Sequence, residues 1–320
     1  MAKVALEKWQ GQINTLTLGA TDKEGGSRAC AISVGGESAL PFLFAEGKIP
    51  HRPQVACEVW DIKPSDWPDE LAKHYKDVWG DPISWAEKCV NKYKAQLLCV
   101  RLAGAHPELG DKSPEEEAKL IKNLLLKVKV PLIILGCGDD HKDNAVLPEC
   151  SHAARNERCL IGDAVQDNYK TLTAACLADG HSIIAESPID INIAKQLNIL
   201  ITDMGLSLER IAMNPTIGAL GYGLEYAYSI MERARLAALS GDKVLAGPFI
   251  CFVAQESWRA KEAKAPSLEF PQWGDELERG PLWEVITATA LLQAGANILV
   301  MRHPKAIEKV NEYIERLMER

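Results

Sequence analysis

The sequence predicts an α/β fold, a (β/α)8 TIM barrel with an N-terminal β-hairpin extension and two long insertions on the C-terminal rim. Three observations predict it. Short uninterrupted apolar runs recur along the chain, they alternate with longer amphipathic segments, and eight such pairs fit within residues 51–320. Continuous apolar strands are what a parallel sheet covered by helices requires. A doubly wound open sheet is the alternative, because alternation alone does not reveal closure. At 320 residues the chain can bury about three quarters of its extended surface, so it needs no disulfide or metal to fold.

Residues 1–50 stand outside the alternation. The runs 12–18 and 29–34 read as two β-strands joined by the turn-rich segment DKEGGS at 22–27, a hairpin packed over the N-terminal end of the barrel. Barrel strands are expected at Gln54–Trp60, Leu97–Arg101, Leu132–Leu135, 160–163, Ser182–Glu186, 210–214, 249–253 and 298–301. Ser113-Pro114-Glu115-Glu116 is a capping box with proline at the first helical position, followed by Leu120, Ile121, Leu124, Leu125 and Val128 at helical spacing. Asp190 caps a second helix that Gly205 stops, and Pro304 opens the last, with Ile307, Val310, Ile314 and Leu317 on one face.

Two connections, 61–82 and 254–280, are far longer than the usual βα loop of about 2–6 residues. They carry Trp67, Tyr75 and Trp79 in the first and Trp258, Phe270, Pro271 and Trp273 in the second. Such aromatics suit a partner surface or two satellite cores folded over the rim.

Composition narrows the function. Apolar residues make up 47%, charged residues 25%, and the net charge is −8. That balance argues against a nucleic-acid partner and against docking on an anionic membrane. The stretch 285–301 lacks charge but holds Thr, Gln and Asn, so it reads as a buried helix and a strand, not a membrane span. Nine cysteines occur without a single C-x-x-C pair, and the opening MAKVALEKWQ has no apolar core. The expectation is a cytoplasmic chain with reduced thiols and without the usual zinc or iron–sulfur frameworks.

Polar residues recur at the C-terminal strand ends: Asp61, Arg101, Asp139 with Asp140, Asp163, Glu186, Asn214, Gln255 with Glu256, and Arg302 with His303. In a barrel these converge on one mouth, although strand ends also favour turn-forming Asp and Asn. Two glycine-bearing loops lead into helices there, Gly136-Cys137-Gly138-Asp139-Asp140 and the run 214–223. Glycines before a helix let a ligand reach free backbone N–H groups. A tight strand-to-helix turn explains them equally well. Neither loop has the Walker or dinucleotide-binding order. Cys137 and His141 are too local to form a nucleophile–base pair.

The segments NPTIGALGYGLEYAYSIMERARLAAL (214–239), PFLFAEGKIPHRPQVACEVWD (41–61) and ECSHAARNERCLIGDAVQDNYKTL (149–172) resemble the small, delta-type subunit of the corrinoid iron–sulfur protein of the reductive acetyl-CoA pathway, a route of anaerobic carbon fixation. The resemblance extends over essentially the whole chain. It implies a TIM barrel at 51–320, paired in a heterodimer with a larger subunit. That subunit holds the [4Fe–4S] cluster and most of the corrinoid contacts. It further implies a methyl carrier with no stand-alone activity, served transiently by a methyltetrahydrofolate methyltransferase and by acetyl-CoA synthase. The cofactor is then a corrinoid at the subunit interface, with no Fe–S cluster in this chain. The residues expected to meet it are Gly136, Cys137, Gly138, Asp139, Asp163, Asn214, Thr216, Gly218, Gly221, Tyr222 and Gly223, and no catalytic or metal-ligating residue is expected. Asp179-Gly180-His181 begins like the D-x-H-x-x-G motif of cobalt-ligating domains, but Ile184 stands in the last position, so the chain offers no lower cobalt ligand. Three other readings compete: a pterin-binding methyltransferase barrel using Asp139, Asp163 and Asn214; a metal-dependent lyase or isomerase using Asp163 and Glu186; and a scaffold whose mouth is plugged by its own loops.

Overall fold

A computed structural model describes residues 6–319. Ten strands are present among them: β1 (Thr15–Leu18), β2 (Ile32–Gly35), β3 (Gln54–Trp60), β4 (Leu97–Arg101), β5 (Leu132–Leu135), β6 (Leu160–Ala164), β7 (Ser182–Glu186), β8 (Ile211–Asn214), β9 (Phe249–Cys251) and β10 (Ala296–Met301). Strands β3 to β10 close into a barrel in sequence order, with β10 pairing in parallel to β3. The open-sheet alternative is thereby excluded. The helices are α1 (Asp69–Ala72), α2 (Pro82–Asn91), α3 (Pro114–Lys127), α4 (Asp140–Ala153), α5 (Tyr169–Asp179), α6 (Ile191–Asp203), α7 (Leu224–Leu239), α8 (Val253–Ser257), α9 (Lys261–Lys264), α10 (Glu276–Gln293) and α11 (Pro304–Met318).

Local sequence sets the helix ends. The Ser113 side chain accepts from the Glu116 N–H and Glu116 returns the bond, with Pro114 at the first helical position. Asp190 accepts from the N–H groups of Asn192 and Ile193 at the start of α6. Some strand ends differ from the sequence reading. β9 ends at Cys251 rather than 253, because Val253 already opens α8, and β10 begins at Ala296 rather than 298. The hairpin strands are also shorter than 12–18 and 29–34, the flanking residues running as irregular chain.

Alternate strand residues point inward and outward. Outward Val55, Cys57 and Val59 pack with the helices, and inward Ala56, Leu97, Cys99, Ile133, Leu160, Ile184, Ala212, Ile250, Ile298 and Val300 fill the barrel. Gly162 has no side chain because a Cβ there would lie 2.5 Å from the Ile184 Cβ. The antiparallel β1–β2 hairpin caps the N-terminal end. Its Leu16, Leu18, Ile32 and Val34 belong to the same cluster as the barrel interior. Arg28 fastens it: the guanidinium donates to the carbonyls of Val128 and Leu125 and pairs with Glu157 at 2.8 Å.

The hairpin is thus the floor of the barrel core. Leu18→Ala is expected to cost about 2–5 kcal/mol, read as a lower urea midpoint. Leu126→Ala on the outer face of α3, where the side chain is 65% exposed, is expected to stay within about 0.5 kcal/mol.

Candidate functional site at the barrel mouth

Charge enters the barrel just above the apolar layers. Glu58 is the single carboxylate of β3, inward-facing and 1% exposed. Its Oε1 accepts from Arg101 Nε and its Oε2 from Arg302 Nε, both at 2.6 Å. Burial alone would raise the Glu58 pKa, but the two guanidinium groups outweigh it and hold the carboxyl down at about 2. Arg101 also donates to Gln255 Oε1 at 2.6 Å, and Trp60 lies near both guanidinium groups. This triad carries one net positive charge across β3, β4 and β10.

The opposite wall is acidic. A cavity of about 240 Å³ opens between them, lined among others by Arg101, Gly136, Asp163, Glu186, Asn214 and Thr216, with apolar patches from Leu135, Ile217 and Phe252. Asp163 stands where the β6–β7 register breaks, between Ile161 and Ala164. Burial raises its pKa well above the ordinary carboxylate range; Glu186 adds to the rise, and Arg101 and Asn214 oppose it. Glu186 is raised too, chiefly by burial, while accepting from Thr216 Oγ1 at 3.1 Å. Asn214 places Nδ2 3.4 Å from Asp163 Oδ1 and accepts the Thr216 N–H at its own Oδ1. Burial thus favours the protonated form of Asp163, and beside it the wall offers a carboxamide and a hydroxyl, suited to a polar group with both donors and acceptors.

Of the residues expected from sequence, Gly136, Gly138, Asp163, Asn214 and Thr216 line this cavity. Cys137 and Asp139 shape its edge. The N–H groups of Cys137 and Gly138 donate to Asp143 at 2.8 and 3.0 Å, and Asp139 caps α4 through the Lys142 N–H. The anion cradled by the first glycine loop is thus the chain's own carboxylate. A Cβ at Gly136 would lie 2.3 Å from Asp143 Oδ2, which is why glycine stands there. Gly218, Gly221, Tyr222 and Gly223 build the turn before α7: a Cβ at Gly218 would meet the Tyr222 carbonyl, and Gly223 caps the helix with φ 95°. Tyr222 is half exposed and donates to Glu262 on the second insertion at 2.8 Å.

Sequence reasoning missed Glu58 and Asp143. A lone glutamate inside the apolar run QVACEVW was the available signal for the first. Nothing local distinguished Asp143, one turn into α4. Asp61, expected at the mouth, instead accepts from the Gly104 N–H and from Lys112 Nζ at 2.7 Å. Many aromatics of the insertions pack within the chain. Trp67 sits edge-on to Trp60, Tyr75 and Trp85, and Trp258 donates to Glu284 at 2.7 Å. Phe270 and Trp273 stack at 4.2 Å on the rim, beside Leu268, which is 94% exposed.

Glu58 and Asp163 respond oppositely to pH. The depressed pKa of Glu58 gives stability that is full above about pH 4.5 and is lost as pH falls toward about 2. Glu58→Gln leaves two buried cations, so a loss of about 3–5 kcal/mol is expected at neutral pH. The raised pKa of Asp163 makes its contribution full below the unfolded value of 3.8 and lost as pH climbs toward the folded one. Asp163→Asn is therefore expected to flatten the fall in urea midpoint as pH rises above 3.8, relative to the parent chain.

A family model described as CO dehydrogenase/acetyl-CoA synthase delta subunit matches residues 16–308. Acetyl-CoA decarbonylase/synthase complex subunit delta of Archaeoglobus fulgidus is 36% identical over 97% of this chain and 70% of its own length. The subunit of the same name from Methanosarcina mazei is 36% identical over 98% and 72%. Among solved structures, dihydropteroate synthase of Xanthomonas albilineans superposes with a TM-score of 0.57 at 14% identity, covering 84% of this chain and 95% of that one. The Coxiella burnetii dihydropteroate synthase gives 0.57 at 13% identity over 95% and 100%. These structural likenesses establish the TIM-barrel fold alone, whereas the sequence matches establish descent: the chain belongs to the CO dehydrogenase/acetyl-CoA synthase delta subunit family.

Proposed function

We propose that this chain is the small subunit of a heteromeric corrinoid methyl carrier, its barrel mouth covering a corrinoid held mainly by a larger [4Fe–4S] subunit. The names of its relatives describe subunits of an acetyl-CoA decarbonylase/synthase complex, which supports a role inside an assembly. The observation that carries the reading is the mouth itself. It is a small recess with Arg101, Asp163, Glu186, Asn214 and Thr216 as donors and acceptors and Leu135, Ile217 and Phe252 as apolar patches. At about 240 Å³ it is below the usual range of about 300–1,000 Å³ for enclosed ligands. It suits a peripheral group of a large flat cofactor, not the whole macrocycle.

The donor set fits a corrinoid edge. The corrin periphery carries carboxamides, and Asn214, Asp163 and Thr216 can pair with such groups. Leu135, Ile217 and Phe252 supply apolar contact. When bound, the corrinoid supplies a low-valent cobalt that accepts and donates the methyl group. The residues of this chain orient the corrin edge and keep water from it. His181 lies at the opposite end of the barrel, fully buried, accepting the Cys159 N–H at its Nδ1. This supports the reading in which any axial cobalt ligand comes from elsewhere. In that scheme residues 1–50 are an extension that seals the floor and 51–320 form the cofactor-facing barrel. Methyl groups arrive from a methyltetrahydrofolate-dependent methyltransferase and leave to acetyl-CoA synthase, in the cytoplasm.

A second reading, a pterin-binding methyltransferase barrel, draws on the fold likeness and on Asp163 and Asn214 sharing one cavity. The two readings separate by experiment. The purified two-subunit complex carrying Asn214→Ala or Gly221→Val is expected to show an altered corrinoid absorption spectrum and a methyl-transfer rate lower by roughly tenfold, about 1.4 kcal/mol. An unchanged spectrum and rate in both variants would overturn the placement of the corrinoid. Stoichiometric binding of methyltetrahydrofolate by the isolated chain would favour the pterin reading instead.

A further inference from the structure

Beside the mouth, three potential ligands converge from two separate parts of the chain. Glu70 and His74 lie one turn apart on the first insertion, and His303 follows β10. One donor atom from each falls within 4.8 Å of the others. His74 Nε2 lies 3.1 Å from His303 Nε2, and Glu70 Oε1 lies 3.5 Å from the same nitrogen. A tetrahedral ion with bonds of about 2.0–2.2 Å separates its ligands by about 3.3–3.6 Å, so both distances are close to what one shared ion demands.

We propose that Glu70, His74 and His303 form a binding site for a divalent first-row transition ion of the zinc class, distinct from the cavity at the barrel mouth. This departs from the sequence expectation of a chain without metal ligands. Two neutral nitrogens and one carboxylate are a ligand set that zinc uses when it keeps a fourth, solvent-filled position. Access exists for that position, since His74 and Glu70 are only partly buried. The most buried ligand is also the most firmly held. His303 is 2% exposed, stacks against Trp258 with ring centroids 5.9 Å apart, and donates its backbone N–H to Glu284. Glu284 in turn accepts from Trp258 Nε1 and the Arg302 N–H. The second insertion, β10 and α10 therefore fix the imidazole to which the first insertion brings its two ligands.

The tautomer of His303 matters. Its Nδ1 accepts the Lys305 N–H at 3.2 Å, so in the metal-free chain Nε2 carries the proton and bonds to His74 or Glu70. Coordination through Nε2 moves that proton to Nδ1 on the same ring, with no change in charge. The bond from the Lys305 N–H to Nδ1 is then lost. Losing one capping bond costs far less than a zinc-class ion contributes. Bound there, the ion would clamp the 61–82 insertion to the end of β10, one residue from Arg302 in the charged triad.

The test uses the full chain, stripped with chelator and titrated with Co2+ and then Zn2+ at about pH 7.5, where neutral imidazoles prevail. One Co2+ per chain is expected, with visible d–d bands of a low-symmetry N/O site that Zn2+ bleaches, and with Kd near or below about 1 µM. His74→Gln and Glu70→Gln change partly exposed side chains, and their circular dichroism spectra check that they stay folded. Each is expected to weaken binding by roughly tenfold or more. Zn2+ is also expected to slow proteolysis within residues 61–82 of the parent chain but not of His74→Gln. No stoichiometric binding, undiminished affinity in both variants, or a thiolate-to-cobalt charge-transfer band locating the ion on cysteine would each overturn the proposal.

Discussion

The carboxylate of Glu58, clamped between Arg101 and Arg302, is the constraint on which the mouth depends. Below it the barrel is filled by aliphatic side chains; above it stand Asp163, Glu186 and Asn214. Two guanidinium groups held inside a barrel are unfavourable unless an anion lies between them. Once Glu58 is there, the chains of Arg101 and Arg302 have fixed directions. Arg101 then reaches Gln255 at the start of the second insertion, and Arg302 leads directly into His303 and α11. The same positive charge partly offsets the acidic wall across the cavity. A neutral residue at 58 would leave both buried guanidinium groups without the carboxylate that positions them.

The barrel was legible because its signals are local and repeated. Apolar runs, the Ser113 capping box, the Asp190 cap and Pro304 each report on residues near in sequence, and together they prescribe the alternation. The position of the hairpin followed from its failure to fit that alternation, and the fused core of Leu16, Leu18 and the inward strand residues explains why it could not be placed elsewhere. The site was legible only at strand ends, where topology compels convergence. Asp163, Asn214 and Thr216 were reachable by that logic.

What escaped detection depends on contacts between distant segments. The first glycine loop has the chemistry of an anion cradle, and the sequence does not say that Asp143 from the following helix fills it. The aromatics of the insertions likewise look like a partner surface until Trp67 is seen against Trp60, Tyr75 and Trp85. A sequence reports that donors and rings are present. It does not report which of them are already satisfied, since that is decided by side chains far away in number.

The hairpin beneath the barrel gives the molecule a direction. With Leu16, Leu18, Ile32 and Val34 closing one end, the interior is a blind cup. The recess beside Asp163 and Asn214 opens upward only, past the rim. A flat body laid across that rim would turn the cup into a chamber with a dry floor, aliphatic sides and a few placed polar groups. Such a chamber could not drain from below, so the fit of whatever covers it would alone decide how many water molecules remain inside.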